Sequence, residues 1–148
     1  MKKIIAGFAF VIGSIVAVQA QDVAEKDVPE AVKSALSQKY ANATDLEWEK
    51  HGDNYEADFD VKRIDHAVMI DPSGKILMTR HDLMEKDLPQ ALQNAISQNY
   101  KGMRVDDVEQ VEKDGNTYYQ LELDQKGKDK KVVLSKDGKE VTEPSYWD

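Results

Sequence analysis

Two rhythms of apolar positions run along the chain, and each occurs twice. Ala31, Val32, Ala35, Leu36 and Tyr40 recur at three- and four-residue spacing, with Lys33, Ser34 and Lys39 between them, which predicts an amphipathic helix. Pro29 suits the first helical position, where a missing N–H and a fixed φ cost nothing, and Glu30 follows where the helix dipole favours an anion. The stretch Val28–Tyr40 returns 60 positions later as Leu88–Tyr100, with Pro, both alanines, Ser, Gln and Tyr in register. A fixed-period echo of this kind constrains the architecture before any single residue is interpreted.

Behind the first helix the period changes to two. Leu46 and Trp48 alternate with Glu47 and Glu49, the turn His51-Gly52-Asp53-Asn54 follows, and Tyr55, Ala57 and Phe59 alternate with Glu56, Asp58 and Asp60. A two-residue Gly52-Asp53 loop sets Trp48 opposite Ala57 and Leu46 opposite Phe59, so the apolar residues share one face and the carboxylates the other. That segregation predicts an antiparallel sheet with one side covered by the helix. A second hairpin, Ala67–Ile70 and Lys75–Met78, turns through Asp71-Pro72-Ser73-Gly74, a type I turn closed by a left-handed Gly. Its apolar residues fall on both faces, with Val68, Ile70, Ile76 and Met78 on one and Met69 and Leu77 on the other. Such a surplus predicts a buried join or a patch that something covers.

The second copy has a helical stripe of Ala91, Leu92, Ala95, Ile96 and Tyr100, then Val108 and Val111, the turn Asp114-Gly115-Asn116-Thr117, and Tyr119, Leu121 and Leu123. A three-residue loop would set Val111 opposite Leu121 and account for part of the drift of the repeat from 60 to 64 positions. The last hairpin joins Lys131–Leu134 to Val141 through Ser135–Lys139, and Gly74 and Gly138 are 64 apart, as are Asp60 and Asp124. Each copy reads helix, hairpin, hairpin, over residues 23–84 and 85–148. Asp22–Asp27 is expected to be a mobile lead-in, and Tyr146-Trp147 to tuck onto the sheet.

The N-terminus follows neither rhythm. Met1-Lys2-Lys3, an apolar run from Ile4 to Val18 and small residues at Val18 and Ala20 match a signal peptide over residues 1–20, cut after Ala20 and leaving 21–148 to fold. The run is shorter than the roughly 20 residues a bilayer span needs. The chain has no cysteine, which excludes disulfides, thiolate zinc sites and lipid attachment through a cysteine. Its net charge is −8, and two units lower once Lys2 and Lys3 leave with the leader, which argues against nucleic acid and anionic membrane as partners.

Little of the candidate chemistry stands out. His51, His66 and His81 are 15 apart, but no spacing brings two imidazoles together locally, and the second copy has no histidine. Asp71, with Asp65 and Asp82, lacks the pattern of a calcium loop. The carboxylates of the first hairpin alternate along strands expected to be solvated, where nothing separates their pKa values. Lys126, Lys128, Lys130, Lys131, Lys136 and Lys139 interleave with acids and read as a solvated hairpin rim, with a docking rim as the sharper reading. No nucleophile elbow, P-loop or dinucleotide glycine pattern is present, so no catalytic, metal or cofactor-binding residue is assigned and a non-enzyme is expected.

The leader, the two L/V-P-x-A helices, the hairpin from Glu47 to Tyr55 and the Ile70-Asp71-Pro72-Ser73-Gly74-Lys75 turn together resemble the PepSY-like family of small exported Gram-negative proteins, themselves compared with β-lactamase inhibitory protein. The resemblance covers roughly Val23 to Trp147. It implies an α+β fold in which two tandem helix-plus-four-strand repeats form one curved antiparallel sheet with the helices on one face. It also implies a periplasmic location and a binding or inhibitory role. The inhibitory protein relies on disulfides and this chain has none, so the likeness carries fold and not target.

The leading expectation is a periplasmic binding protein, a monomer or weak dimer, that engages a protein or peptide through the helix-free sheet face and thereby inhibits a hydrolase. The candidate residues are Glu47, Glu49, Glu56 and Asp58 in one copy and Tyr118, Gln120 and Glu122 in the other. Two alternatives stand beside it: a small-ligand or metal carrier using His66 and His81, and a self-associating envelope or stress protein joined through the surplus apolar hairpin faces.

Overall fold

The structure, a computed structural model, describes residues 20–148. The expected signal peptide lies outside the described residues except for Ala20. Among the described residues nine strands form one antiparallel sheet in chain order: β1 (Gln21–Asp22), β2 (Thr44–His51), β3 (Asn54–Val61), β4 (Ile64–Ile70), β5 (Ile76–Asp82), β6 (Arg104–Lys113), β7 (Asn116–Asp124), β8 (Asp129–Ser135) and β9 (Glu140–Val141). Helix α1 (Glu30–Lys39) lies between β1 and β2, and α2 (Gln90–Asn99) between β5 and β6. Strands β5 and β6 pair from Met78↔Lys113 to Asp82↔Glu109, so the sheet continues unbroken from one half of the chain to the other.

Both helices cover the same side. Val32 and Leu36 of α1 pack on Trp48, Ala57, Val68 and Ile70, while Leu92 and Ile96 of α2 pack on Val108, Leu121, Leu123 and Leu134. The strand ladder puts these strand residues on one face. Burying each large aliphatic side chain is worth about 1.5–3 kcal/mol, so these stripes anchor the helices.

The repeated alanines have a steric reason. Gly74 and Gly138 close their turns at φ +90° and +78°, and both turns rest on a helix. A Cβ on Gly74 would stand 2.7 Å from the Ala31 carbonyl oxygen, and one on Gly138 would stand 2.5 Å from Ala95 Cβ. Both approaches require glycine in the turn, against the Ala31 backbone in one case and the Ala95 side chain in the other.

Several expectations need correction. Pro29 is the N-cap, extended at ψ 142°, and the helix begins one residue later. Asp22–Asp27 is not a mobile lead-in, because Gln21 and Asp22 pair with Lys50 and Glu49 and Glu25–Asp27 forms a 3-10 turn. Leu46 does not face Phe59: an irregularity between Thr44 and Glu47, with Asp45 at φ 54°, breaks the ladder and leaves Leu46 37% exposed. A bulge at Leu77 makes Met78 the partner of Met69, moving Met78 away from the helix face.

Val111 does not face Leu121. The β6–β7 loop holds two residues, Asp114-Gly115, so Val108 faces Leu121 as Trp48 faces Ala57, and Val111 faces Tyr118 on the opposite side. Lys113↔Asn116 closes this hairpin and His51↔Asn54 the first, so each arm of the second hairpin is longer by two residues. Those four residues are the whole drift from 60 to 64.

Candidate functional site

The side of the sheet without helices has its own cover. Residues 144–148 lie across it, and Trp147 packs into a small core with Ala67 and Val111, flanked by Met69, Met78 and Tyr118. The two displaced residues, Met78 and Val111, therefore build the seat for Trp147. The expected docking of the terminal aromatic pair is observed: Trp147 is buried and Tyr146 half-buried.

The backbone of this segment is gripped as firmly as its side chain. Gln120 donates from Nε2 to the Trp147 carbonyl at 2.8 Å and accepts the Trp147 N–H at Oε1 at 3.1 Å. Arg80 Nη1 donates to the same carbonyl at 2.7 Å, and its guanidinium lies 5.1 Å from the indole ring centre. Gln120 also meets Glu109 Oε2, and Lys131 meets the Asp148 carboxylate.

Arg80 organises the charges. It stands 3.5 Å from Glu109 and 3.7 Å from Asp58, joining an acid from each half of the sheet. Beside it the face opens into a hollow of about 480 Å3, lined by Asp58, Asp82, Asp107, Glu109 and Glu122 with Lys131 and Tyr146. Burial, then Asp107, Asp65 and Glu109, push Asp82 up to about 6. Burial likewise raises Glu109 and Asp58, with Arg80 opposing it in each case.

The sequence-derived candidates divide here. Glu47 pairs with Asp58 and Glu49 with Glu56 across β2 and β3, and Tyr118, Gln120 and Glu122 alternate along β7 on the same face. Glu56 and Gln120 are not available on an open surface: they are 2% and 1% exposed, because Trp147 roofs them. Burial raises the Glu56 carboxyl, opposed by Trp147, His51 and Arg80. Glu56 Oε2 and Trp147 Nε1 are both buried, and His51 Nε2 stands 2.8 Å from the carboxylate oxygen. Glu47, Glu49, Asp58, Tyr118 and Glu122 retain exposure.

Arg80, Glu109 and Asp107 have no part in the sequence-derived candidates, and Asp82 enters them only in the calcium reading with Asp71 and Asp65. The signal for Glu109 was present: Asp114-Gly115 is a favoured two-residue turn, and that register sets Glu109 opposite Gln120. Arg80 offered none, since only the β5–β6 junction gives it partners from both halves.

His66 and His81 pair across β4 and β5 on the helix side, with ring centres 5.3 Å apart and planes 24° apart, and His66 stacks on Phe59. They present faces to one another, and burial lowers both pKa values. Asp71 serves its turn, accepting from Ser73 N at 2.9 Å and Lys75 N at 3.0 Å. The Lys126–Lys139 rim is exposed, with Lys130 3.4 Å from Glu140.

The model of a family described as "putative beta-lactamase-inhibitor-like, PepSY-like" matches residues 14–78 and again 70–141. The chain belongs to the PepSY-like family. A BLIP-like protein from Bacteroides fragilis shares 30% identity with this PepSY-like protein at a TM-score of 0.66, over 76% of this chain and 83% of that one. A DUF2874 family protein from Bacteroides uniformis has a TM-score of 0.71 at 23% identity, over 76% and 86% of the two chains. One described as a "putative periplasmic" protein from Bacteroides eggerthii has a TM-score of 0.70 at 21% identity, over 77% and 86%. These last two show the fold alone. No curated protein matches the chain. The family's description is inhibitor-like and names no catalysis. Among the described residues no helix of the PepSY-like protein is long and apolar enough to cross a membrane.

Proposed function

We propose that this PepSY-like protein is a non-enzymatic periplasmic binding protein, built from two helix-plus-four-strand repeats and released by cleavage after Ala20. It engages an extended segment of another protein on the helix-free face, inhibiting a hydrolase where that segment belongs to one. The observation that carries this reading is intramolecular. The face already holds a peptide segment, residues 144–148, by one aromatic anchor and hydrogen bonds from Gln120 and Arg80 to Trp147. The acid-lined hollow beside that peptide offers a partner the complementary half of the site, and its charge suits a basic segment.

Glu56 is roofed, so the test uses the accessible acids. Asp58→Lys with Glu122→Lys should abolish capture and crosslinking of a periplasmic partner, with the wild-type crosslinks mapping to β3 and β7. Lys33→Glu with Gln93→Glu, on the helix side, should leave capture intact. Capture insensitive to the first pair would remove this face from consideration.

A further inference from the structure

We propose a divalent-metal site at the β2–β3 turn, formed by Glu49, His51 and Glu56 and suited to Zn2+. It lies on the opposite side of the sheet from the His66–His81 pair. His51 Nε2 stands 2.8 Å from Glu56 Oε2 and 3.3 Å from Glu49 Oε2. The three ligand atoms lie within 4.8 Å of one another. Zinc bonds of about 2.0–2.2 Å at tetrahedral angles separate ligand atoms by about 3.4 Å, so small side-chain torsions would bring all three onto one ion.

Two features call for a cation there. Glu49 and Glu56 are directly opposed across the ladder, where like charges destabilise a strand pair. One imidazole N–H can satisfy only one of them. The second feature is burial: Glu56 is 2% exposed, and its Oε2 lies 2.8 Å from His51 Nε2 without the geometry of a hydrogen bond. A buried carboxylate oxygen in that condition costs free energy that an ion would recover.

Access and rigidity fit the assignment. Glu49 and His51 are partly exposed, giving an entry path, while Glu56 is fixed beneath Trp147. The tight turn, with Gly52 at φ 62°, holds His51 two residues from Glu49 on the same face. One imidazole and two carboxylates suit Zn2+, and a three-ligand set leaves a fourth position for water or for a group on a bound partner. The second half of the sheet has Val111 where the first has His51, so it carries no copy of the site.

The test is titration of the protein, purified without a histidine tag, with ZnCl2 by calorimetry and with CoCl2 by visible absorption. One ion should bind per chain, and Co2+ should give the intense d–d band of a four-coordinate site. His51→Ala and the milder His51→Asn should each weaken binding by about 10-fold or more, the scale on which metal sites respond to lost ligand support. Glu56→Gln should do the same, and circular dichroism would verify that each variant folds. A His66→Ala/His81→Ala double variant should bind as the wild type does. Absence of binding at micromolar metal, binding that survives both His51 substitutions, or loss of binding in the double variant would each overturn the assignment.

Discussion

Gln120 and Trp147 are joined like two strands at a single rung: the Gln120 amide accepts the Trp147 N–H and donates to the Trp147 carbonyl. A side chain on the helix-free face thus replaces a neighbouring strand's backbone. Gln120→Leu should strand the Trp147 N–H and leave its carbonyl and Glu109 to Arg80 alone, costing about 1–3 kcal/mol. Urea unfolding measures the loss, and iodide quenching of Trp147 in a Trp48→Phe background should increase.

Trp147→Ala removes the anchor itself and leaves Met69, Met78 and Tyr118 uncovered. A cost of about 3 kcal/mol is expected for a buried aromatic of this kind. Dye binding by 8-anilinonaphthalene-1-sulfonate should rise in the folded variant, because the surplus apolar surface of the β4–β5 hairpin then faces water. An unchanged dye signal would mean that the seat closes without its occupant.

The two turn glycines should behave alike although their turns differ in sequence. Gly74→Ala and Gly138→Ala each combine a positive φ with a Cβ that meets a helix, so each should lower stability by more than the roughly 1 kcal/mol of a conformational penalty alone. Gly115→Ala, at φ +75° with nothing within 4 Å, isolates that penalty and should cost less. Thermal unfolding of the three variants orders them.

Asp82 sets a pH dependence. Its carboxyl rises from 3.8 to about 6 in the fold, so between those values the folded state holds a proton that the unfolded chain has released. This contribution to stability is present at low pH and is lost as the pH climbs through 6. The Tm should therefore be higher at pH 5 than at pH 7.5. Asp82→Asn should narrow that difference and raise the Tm at pH 7.5, as calorimetric scans would show.

The helix side of the fold was legible because periodicity encodes it. The apolar stripes of α1 and α2, the register Trp48↔Ala57 and the return of the Pro-helix all follow from local spacing. The candidate site was legible only in part. Three single-residue features, the irregularity near Asp45, the bulge at Leu77 and the two-residue Asp114-Gly115 loop, each shift a strand's facing by one, and alternation cannot reveal such a shift. The last two move Met78 and Val111 to the helix-free face, where with Trp147 they turn an expected open acidic surface into a gripped segment beside a hollow. Arg80 acquires its role from the β5–β6 pairing, a contact no repeat unit contains by itself.

The proposed role requires the helix-free face to bind a peptide segment. A chain ending at Val141 keeps all nine strands, and its titration with a peptide of residues 142–148, followed by NMR, tests this most directly. Saturable binding that shifts the amide signals of Arg80, Val111 and Gln120 is expected, with no binding by the same peptide carrying Trp147→Ala. Failure of the unmodified peptide to bind, or shifts centred on Val32 and Leu92 under the helices, would contradict it.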